Sequence, residues 1–266
     1  MLEQISDFEA EVGELASVLA TIPEIDWEQE TDFKRWTIND VVQHLHLADL
    51  MGLHAATDVA GYHSMRAALA ADRRAGLSMR DHARRLLGRL SGFALLETWR
   101  EATDELCSAL AAKPANARIP WAGPDMGVRM FATARQMETW AHGQEIYDLR
   151  RLKRSATDRL RNIAEIGVRT YPWTFANRGR DLPGEAPHVR LIAPSGAEWR
   201  WNDRNDNNYV TGCAEAFCQV VTQVRNIADT DLSVKGTPAE QWMAMALCFA
   251  GPPEDPPLPG ARTPPI

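Results

Sequence analysis

Apolar residues recur every three or four positions through 3–21, with Ile5, Phe8, Val12, Leu15, Val18 and Leu19 on one stripe, and this spacing predicts an amphipathic helix. Pro23 ends it. After the polar stretch DWEQETDFKR, the run WTINDVVQHLHLADLMGLHAATDVAGY returns to helical spacing and predicts one long second helix. Its start carries three agreeing signals: Thr37 as N-cap, Asp40 as its capping-box partner, and Trp36 with Val41 as a hydrophobic staple. A third helix is predicted from near Ser78 to Lys113, with a break around 91–92, and Pro114 stops it. The Pro- and Gly-rich NARIPWAGPDMG is a loop, and VRMFATARQMETWAHGQEIYDLR is a fourth helix. Four long helices with loops between them make a helical bundle, in which facing side chains build interior sites.

The pattern changes after about 155. A helix over 157–176 ends or kinks near Pro172, and HVRLIAP and GAEWRWN alternate as strands joined at Pro194, Ser195 and Gly196, a hairpin signal. GCAEAFCQVVTQVRNIA reads as a helix, DLSVKG as a strand, and TPAEQWMAMALCFAG as a helix with Thr237 at its N-cap and Pro238 at its first position. From Gly251 the proline-rich GPPEDPPLPGARTPPI is extended, disordered or draped over a surface. The expected architecture is mainly α with two domains: a four-helix bundle over 1–155, an α+β domain over 156–250, and a tail over 251–266.

Composition narrows the partners. The chain has 266 residues, 45% of them hydrophobic, enough for two modest domains with their own cores. A net charge of -7 argues against nucleic acid and anionic membranes as partners and leaves a small molecule. The one Arg-rich patch, 72–90, interleaves its arginines with leucines and reads as a solvated helix face beside a loop. The nine tryptophans read as packing, because a base-stacking platform needs a positive groove beside it. No run approaches the roughly 20 apolar residues of a membrane span, and the acidic start lacks the features of a signal peptide, so a soluble cytoplasmic protein is expected. Cys107, Cys213, Cys218 and Cys248 form no CxxC pair, which argues against a zinc knuckle or disulfide framework.

The most pointed chemistry lies in ARQMETWAHGQEI. Glu138 and His142 are four residues apart and differ by about 40° around a helix, so they share a face, which Arg135 and Glu145 extend. Two readings of this stripe are open: an exposed ladder of charges, or part of a buried metal site. Met130, Phe131, Ala134, Met137 and Ala141 form an apolar face beside it, and Trp140 and Ile146 add bulk on another side, which is the pattern of a buried helix. A buried carboxylate and imidazole need a partner or a metal. On the second helix, His44 lies on the core-facing stripe with Val41, Leu45, Ala48 and Met51, while His46 points outward or toward a neighbour. His54, His63, His82 and His188 are scattered and read as surface or capping residues. Two imidazoles and one carboxylate leave a position open for water or substrate, as in catalytic zinc sites, and the same set suits Fe2+, Ni2+ or Mn2+.

WTINDVVQHL together with PWAGPDMGVRMFATARQMETWAHGQEIYDL resembles the metal-binding domain of the mycothiol-dependent maleylpyruvate isomerase family, a branch of the DinB-like four-helix bundles. The likeness continues through LIAPSGAEWRW, TGCAEAFCQVVTQVRNIADTDLSVKG and TPAEQWMAMALCFAGPP, which resemble an actinobacterial-type subgroup of unknown function. The second-half pattern is similar to a sterol-carrier-like fold. The resemblance implies metal ligands at His44, Glu138 and His142, the same three positions that periodicity selects. It also shows two departures. Arg129 stands where small residues are expected, and Glu145 stands where the motif has Asp, an acceptor that can still orient the His142 imidazole.

The resemblance implies an activity as well: a divalent metal, Zn2+ first among the choices, holds a low-molecular-weight thiol such as mycothiol as the thiolate. The outcome is cis–trans isomerisation, or S-transfer if a leaving group departs. Arg135, Arg129 or Arg225 would then bind a substrate carboxylate. A metal-water hydrolase or lyase without thiol, and a non-catalytic metal-binding module, are the alternatives.

Overall fold

The computed structural model describes residues 2–114, 116–123 and 125–262; Met1, Ala115 and Pro124, and the last tail residues 263–266, lie outside the described residues. The chain divides into two compact units, Met1–Leu149 and Arg150–Ile266.

The first unit contains α1 (Glu3–Leu19), a 3-10 turn (Glu24–Glu28), α2 (Ile38–Thr57), α3 (Val59–Arg74), α4 (Met79–Leu87), α5 (Gly92–Ala111), the short strands β1 (Arg118–Ile119) and β2 (Met126–Gly127), and α6 (Val128–Leu149). Helices α1 and α2 each pack against both α5 and α6, which makes the four-helix core. Ile5, Phe8, Leu15, Trp27, Val41, Leu45, Trp99, Leu106 and Phe131 fill it and are fully buried. Helix α6 is buried on nearly every side, as its apolar residues on more than one face predict.

The start of α2 forms as expected. The Thr37 hydroxyl accepts from the Asp40 amide at 3.1 Å, and the Asp40 carboxylate accepts from the Thr37 amide at 2.9 Å. Its end differs. Asp58 leaves the helical region and its carboxylate accepts from the Gly61 amide at 3.0 Å, so it caps a new helix where the sequence suggests continuation to Tyr62. The third helix divides near the expected break: α4 stops at Gly88 with φ 62 and α5 starts after Ser91. Part of the loop after α5 pairs as β1 and β2, Arg118 opposite Gly127 and Ile119 opposite Met126.

The second unit contains α7 (Leu160–Arg169), α8 (Tyr171–Ala176) with Pro172 in its first turn, β3 (His188–Ile192), β4 (Glu198–Trp201), β5 (Tyr209–Cys213), α9 (Ala214–Val221), β6 (Ser233–Lys235) and α10 (Thr237–Met243). The sheet order is β4-β3-β5-β6; β3 pairs antiparallel with β4 and parallel with β5, and β5 pairs antiparallel with β6. Val189, Leu191, Trp199 and Val210 share the buried face, with Phe217 of α9 buried in the same unit. Strand β5 is a correction, because its interrupted alternation gives no clear period before the helix that follows. Gly236, not Thr237, caps α10.

The tail is draped and pinned. The Gln223 and Arg178 side chains donate to the Glu254 carbonyl, Arg178 pairs with Asp255, Asn226 donates to the Pro257 carbonyl at 2.8 Å, and the Gly260 amide donates to Asp229 at 2.9 Å. Among the described residues, no helix is long and apolar enough to cross a membrane.

Candidate metal centre

His44 of α2 meets Glu138 and His142 of α6. His44 Nε2 lies 3.6 Å and His142 Nε2 lies 3.5 Å from the same oxygen, Glu138 Oε2. The three residues each offer one ligand atom within 4.8 Å of the others. Bonds of about 2.0–2.1 Å to a tetrahedral ion would place ligand atoms about 3.3 Å apart, so a small contraction accommodates one. The side chains of His44, Glu138 and His142 are 16%, 23% and 9% exposed, which leaves the cluster half-open on the His44–Glu138 side.

The protonation states suit the same chemistry. Burial pushes the Glu138 carboxyl up, but hydrogen bonds and charge from His142 and His44 outweigh it and hold it well below the usual carboxylate range. Burial, with His44 and Arg135 as further cationic neighbours, pushes the His142 imidazole down against the opposing pull of Glu138. An ionised carboxylate and a neutral imidazole are the forms that ligate a metal.

Two aromatic side chains wall the cluster. The Trp36 indole lies parallel to the His142 ring, 6.0 Å between centroids, and edge-on to His44 at 5.4 Å. Phe33 stands edge-on to His142 at 5.2 Å. Both come from the segment before α2, whose turn is closed by the Trp36 amide donating to Phe33 and the Thr31 amide donating to Trp36. Sequence reasoning used Trp36 only as a staple and missed Phe33; the signal available was two aromatics inside an otherwise polar run.

The arginines fall elsewhere. Arg135 is 2% exposed, and its Nε donates to Asp49 Oδ1 at 2.7 Å; Asp49 is 0% exposed and also accepts from Trp99 Nε1 at 2.8 Å and Thr103 at 3.2 Å. This buried pair lies one turn along the α2–α6 seam from the cluster, and Asp49 carried no signal in the sequence beyond being an acid in an apolar run. Arg129 is exposed in the first turn of α6, roughly 13 Å along the axis from Glu138, so the structure does not bring it to the cluster. Glu145 is buried one turn beyond His142. Arg225 is buried in the second unit. Of the two orientations expected for His46, the structure shows the inward one: it is 2% exposed, and burial lowers its pKa. His82, expected at the surface or as a cap, is a correction: it is buried with Nδ1 2.5 Å from Asp72.

Fold and cluster together define a helical-bundle protein that carries two histidines and one carboxylate on facing helices, joined to a small α+β unit. Residues 8–147 match the family described as the mycothiol maleylpyruvate isomerase N-terminal domain, and the chain belongs to that family. It is 39% identical over 249 residues, 94% of this chain and 96% of the relative, to the uncharacterized proteins Rv0036c and MT0041 of two Mycobacterium tuberculosis strains, H37Rv and CDC 1551 / Oshkosh. A crystal structure of the mycothiol-dependent maleylpyruvate isomerase matches with a TM-score of 0.51 at 14% identity, over 82% of this chain and 87% of that one. At that identity the match shows a shared fold.

Proposed function

We propose that His44, Glu138 and His142 bind a divalent metal ion, Zn2+ first, and that the protein is a mycothiol-dependent isomerase or S-transferase acting on a small electrophile. The convergence of three ligand atoms within 4.8 Å, in a chain of this family, is the observation that carries the reading. When bound, the ion supplies Lewis acidity that keeps a small thiol deprotonated at neutral pH.

The chain's own residues divide the remaining work. Glu138 brings one negative charge, and imidazoles ligate a metal in their neutral form, so a bound divalent ion would retain positive charge for an anionic thiolate. Phe33 and Trp36 exclude water from the His142 side and fix that ring. Two of the protein's buried thiols do not compete as nucleophiles: burial pushes Cys107 up to about 12 and raises Cys218 well above its usual value. In isomerisation the thiolate sulfur adds to one carbon of an electron-poor double bond and its electron pair moves into the acceptor. Rotation about the new single bond and loss of the same thiolate return the double bond in the other geometry. Arg129 stands exposed in the first turn of α6, away from the cluster, and takes no part in holding a small substrate there; Glu145, buried one turn beyond His142, is the orienting acceptor.

Elemental analysis of purified wild type, His44→Ala and Glu138→Ala tests the metal. About one ion per chain in the wild type and a large loss in both variants is expected; equal content in all three removes the site. Cobalt-substituted protein titrated with mycothiol tests the thiol, with a new charge-transfer absorption expected. Activity on activated esters without any thiol, lost in His44→Ala, would instead make it a metal-water hydrolase.

A further inference from the structure

The three cluster residues come from two helices, so their spacing depends on how far α2 has slid along α6. A one-residue slip moves a side chain by about 1.5 Å along the axis and turns it by about 100°. Apolar packing tolerates such shifts better than a directional polar contact does. Asp49 and Arg135 supply a directional contact on the same two helices, and both are almost completely buried.

The positions agree in register. His44 lies opposite Glu138 and His142, whose midpoint is position 140, and α2 runs antiparallel to α6 because the later Asp49 meets the earlier Arg135. Asp49 follows His44 by five residues, and Arg135 precedes 140 by five. The same register brings Gly52 to Phe131, where an added Cβ would stand 3.1 Å from the ring. The pair is held on the α5 side as well, through Trp99 and Thr103. A buried ion pair is weak evidence for stability, since apolar replacements are often neutral or better, and fixing register is its best-attested use.

We propose that Asp49 and Arg135 are positioning residues that set the α2–α6 register and thereby the convergence of His44 on Glu138 and His142. The inference rests on the reading of the cluster as a metal site for its consequence, but not for its geometry. Arg135 accordingly acts through the ligands and not on substrate.

The double variant Asp49→Asn with Arg135→Met removes both charges while keeping an acceptor for Trp99. Metal-free protein is first compared by proton NMR, reading the contact between the His44 and His142 rings, whose centroids are 4.7 Å apart. Loss of that contact with a native circular dichroism spectrum is expected, together with at least a tenfold weaker cobalt affinity and an altered cobalt absorption band. A retained ring contact, or cobalt affinity within threefold of wild type, overturns the proposal. Should the double variant not fold, Arg135→Lys is read in the same way, because an ammonium keeps the charge and lacks the guanidinium's directional fork. A wild type that binds no metal, while the ring contact behaves as stated, refutes the metal reading and supports the register inference.

Discussion

The His142 imidazole and the Trp36 indole lie 6° from parallel, one from α6 and the other from the residue before the Thr37 cap of α2. The cap that starts α2 therefore also holds the plane against which a candidate ligand rests. Asp40 extends this link: it completes the capping box and receives both Nε and Nη2 of Arg84, at 2.5 and 2.8 Å.

Trp36→Leu keeps an apolar residue but removes the flat surface beside His142. Metal affinity is expected to fall about tenfold or more, the scale seen when groups that orient a ligand are lost. Stability is expected to drop by about 1–3 kcal/mol from lost packing. Competition with a chromogenic chelator measures the first and urea unfolding the second.

Acid should destabilise the metal-free protein in two stages. The His142 and His46 imidazoles are held low in the folded state, so below about pH 6.5 the unfolded chain binds more protons than the folded one and stability falls. Glu138 is held low as well; its contribution is complete above about pH 4.3 and is lost as pH falls through its folded value. The limiting slope is about 1.4 kcal/mol per pH unit for each group. Urea midpoints between pH 8 and 5 should decline more steeply for wild type than for His46→Gln with His142→Gln.

The α3–α4 hairpin is fastened by Asp72, which takes His82 Nδ1 at 2.5 Å and Arg85 Nη2 at 2.5 Å. The His82 hydrogen bond, then that of Arg85, holds its carboxyl low. Asp72→Asn should increase amide exchange and protease cleavage across α3 and α4, with α1 and α6 protected as before. Equal protection of the hairpin in both proteins would show that the ion pairs do not fasten it.

Gly236 has φ 96, and a Cβ there would stand 2.3 Å from the Asn207 carbonyl oxygen and 3.0 Å from Asn208 Cα. Backbone cannot swing aside as a side chain can. Gly236→Ala should destabilise the second unit by more than about 2 kcal/mol, through this overlap together with the left-handed backbone. Thermal unfolding followed by calorimetry should show the loss, and a melting temperature within 2 °C of wild type would contradict it.

Legibility in the sequence followed the range of each interaction. The α2 start was readable because Thr37, Asp40, Trp36 and Val41 act within one turn. The break at Asp58 is the exception: its cap bond to Gly61 spans only three residues, but apolar residues at helical spacing on both sides of it mask the capping signal that Asp carries. Strand β5 was hidden by its dependence on β3 and β6 for every ladder bond.

The sequence by itself determined that Glu138 and His142 share one helical face and that His44 lies on an apolar stripe, because 3.6-residue periodicity sets azimuth within a helix. Only the tertiary structure decided how closely His44 approaches Glu138 and His142, that Arg135 is taken by Asp49, and that Phe33 closes the His142 side. Those outcomes depend on the axial offset of α2 against α6 and on the path of the segment before α2. Both are set by contacts between residues far apart in the chain, which no local period encodes.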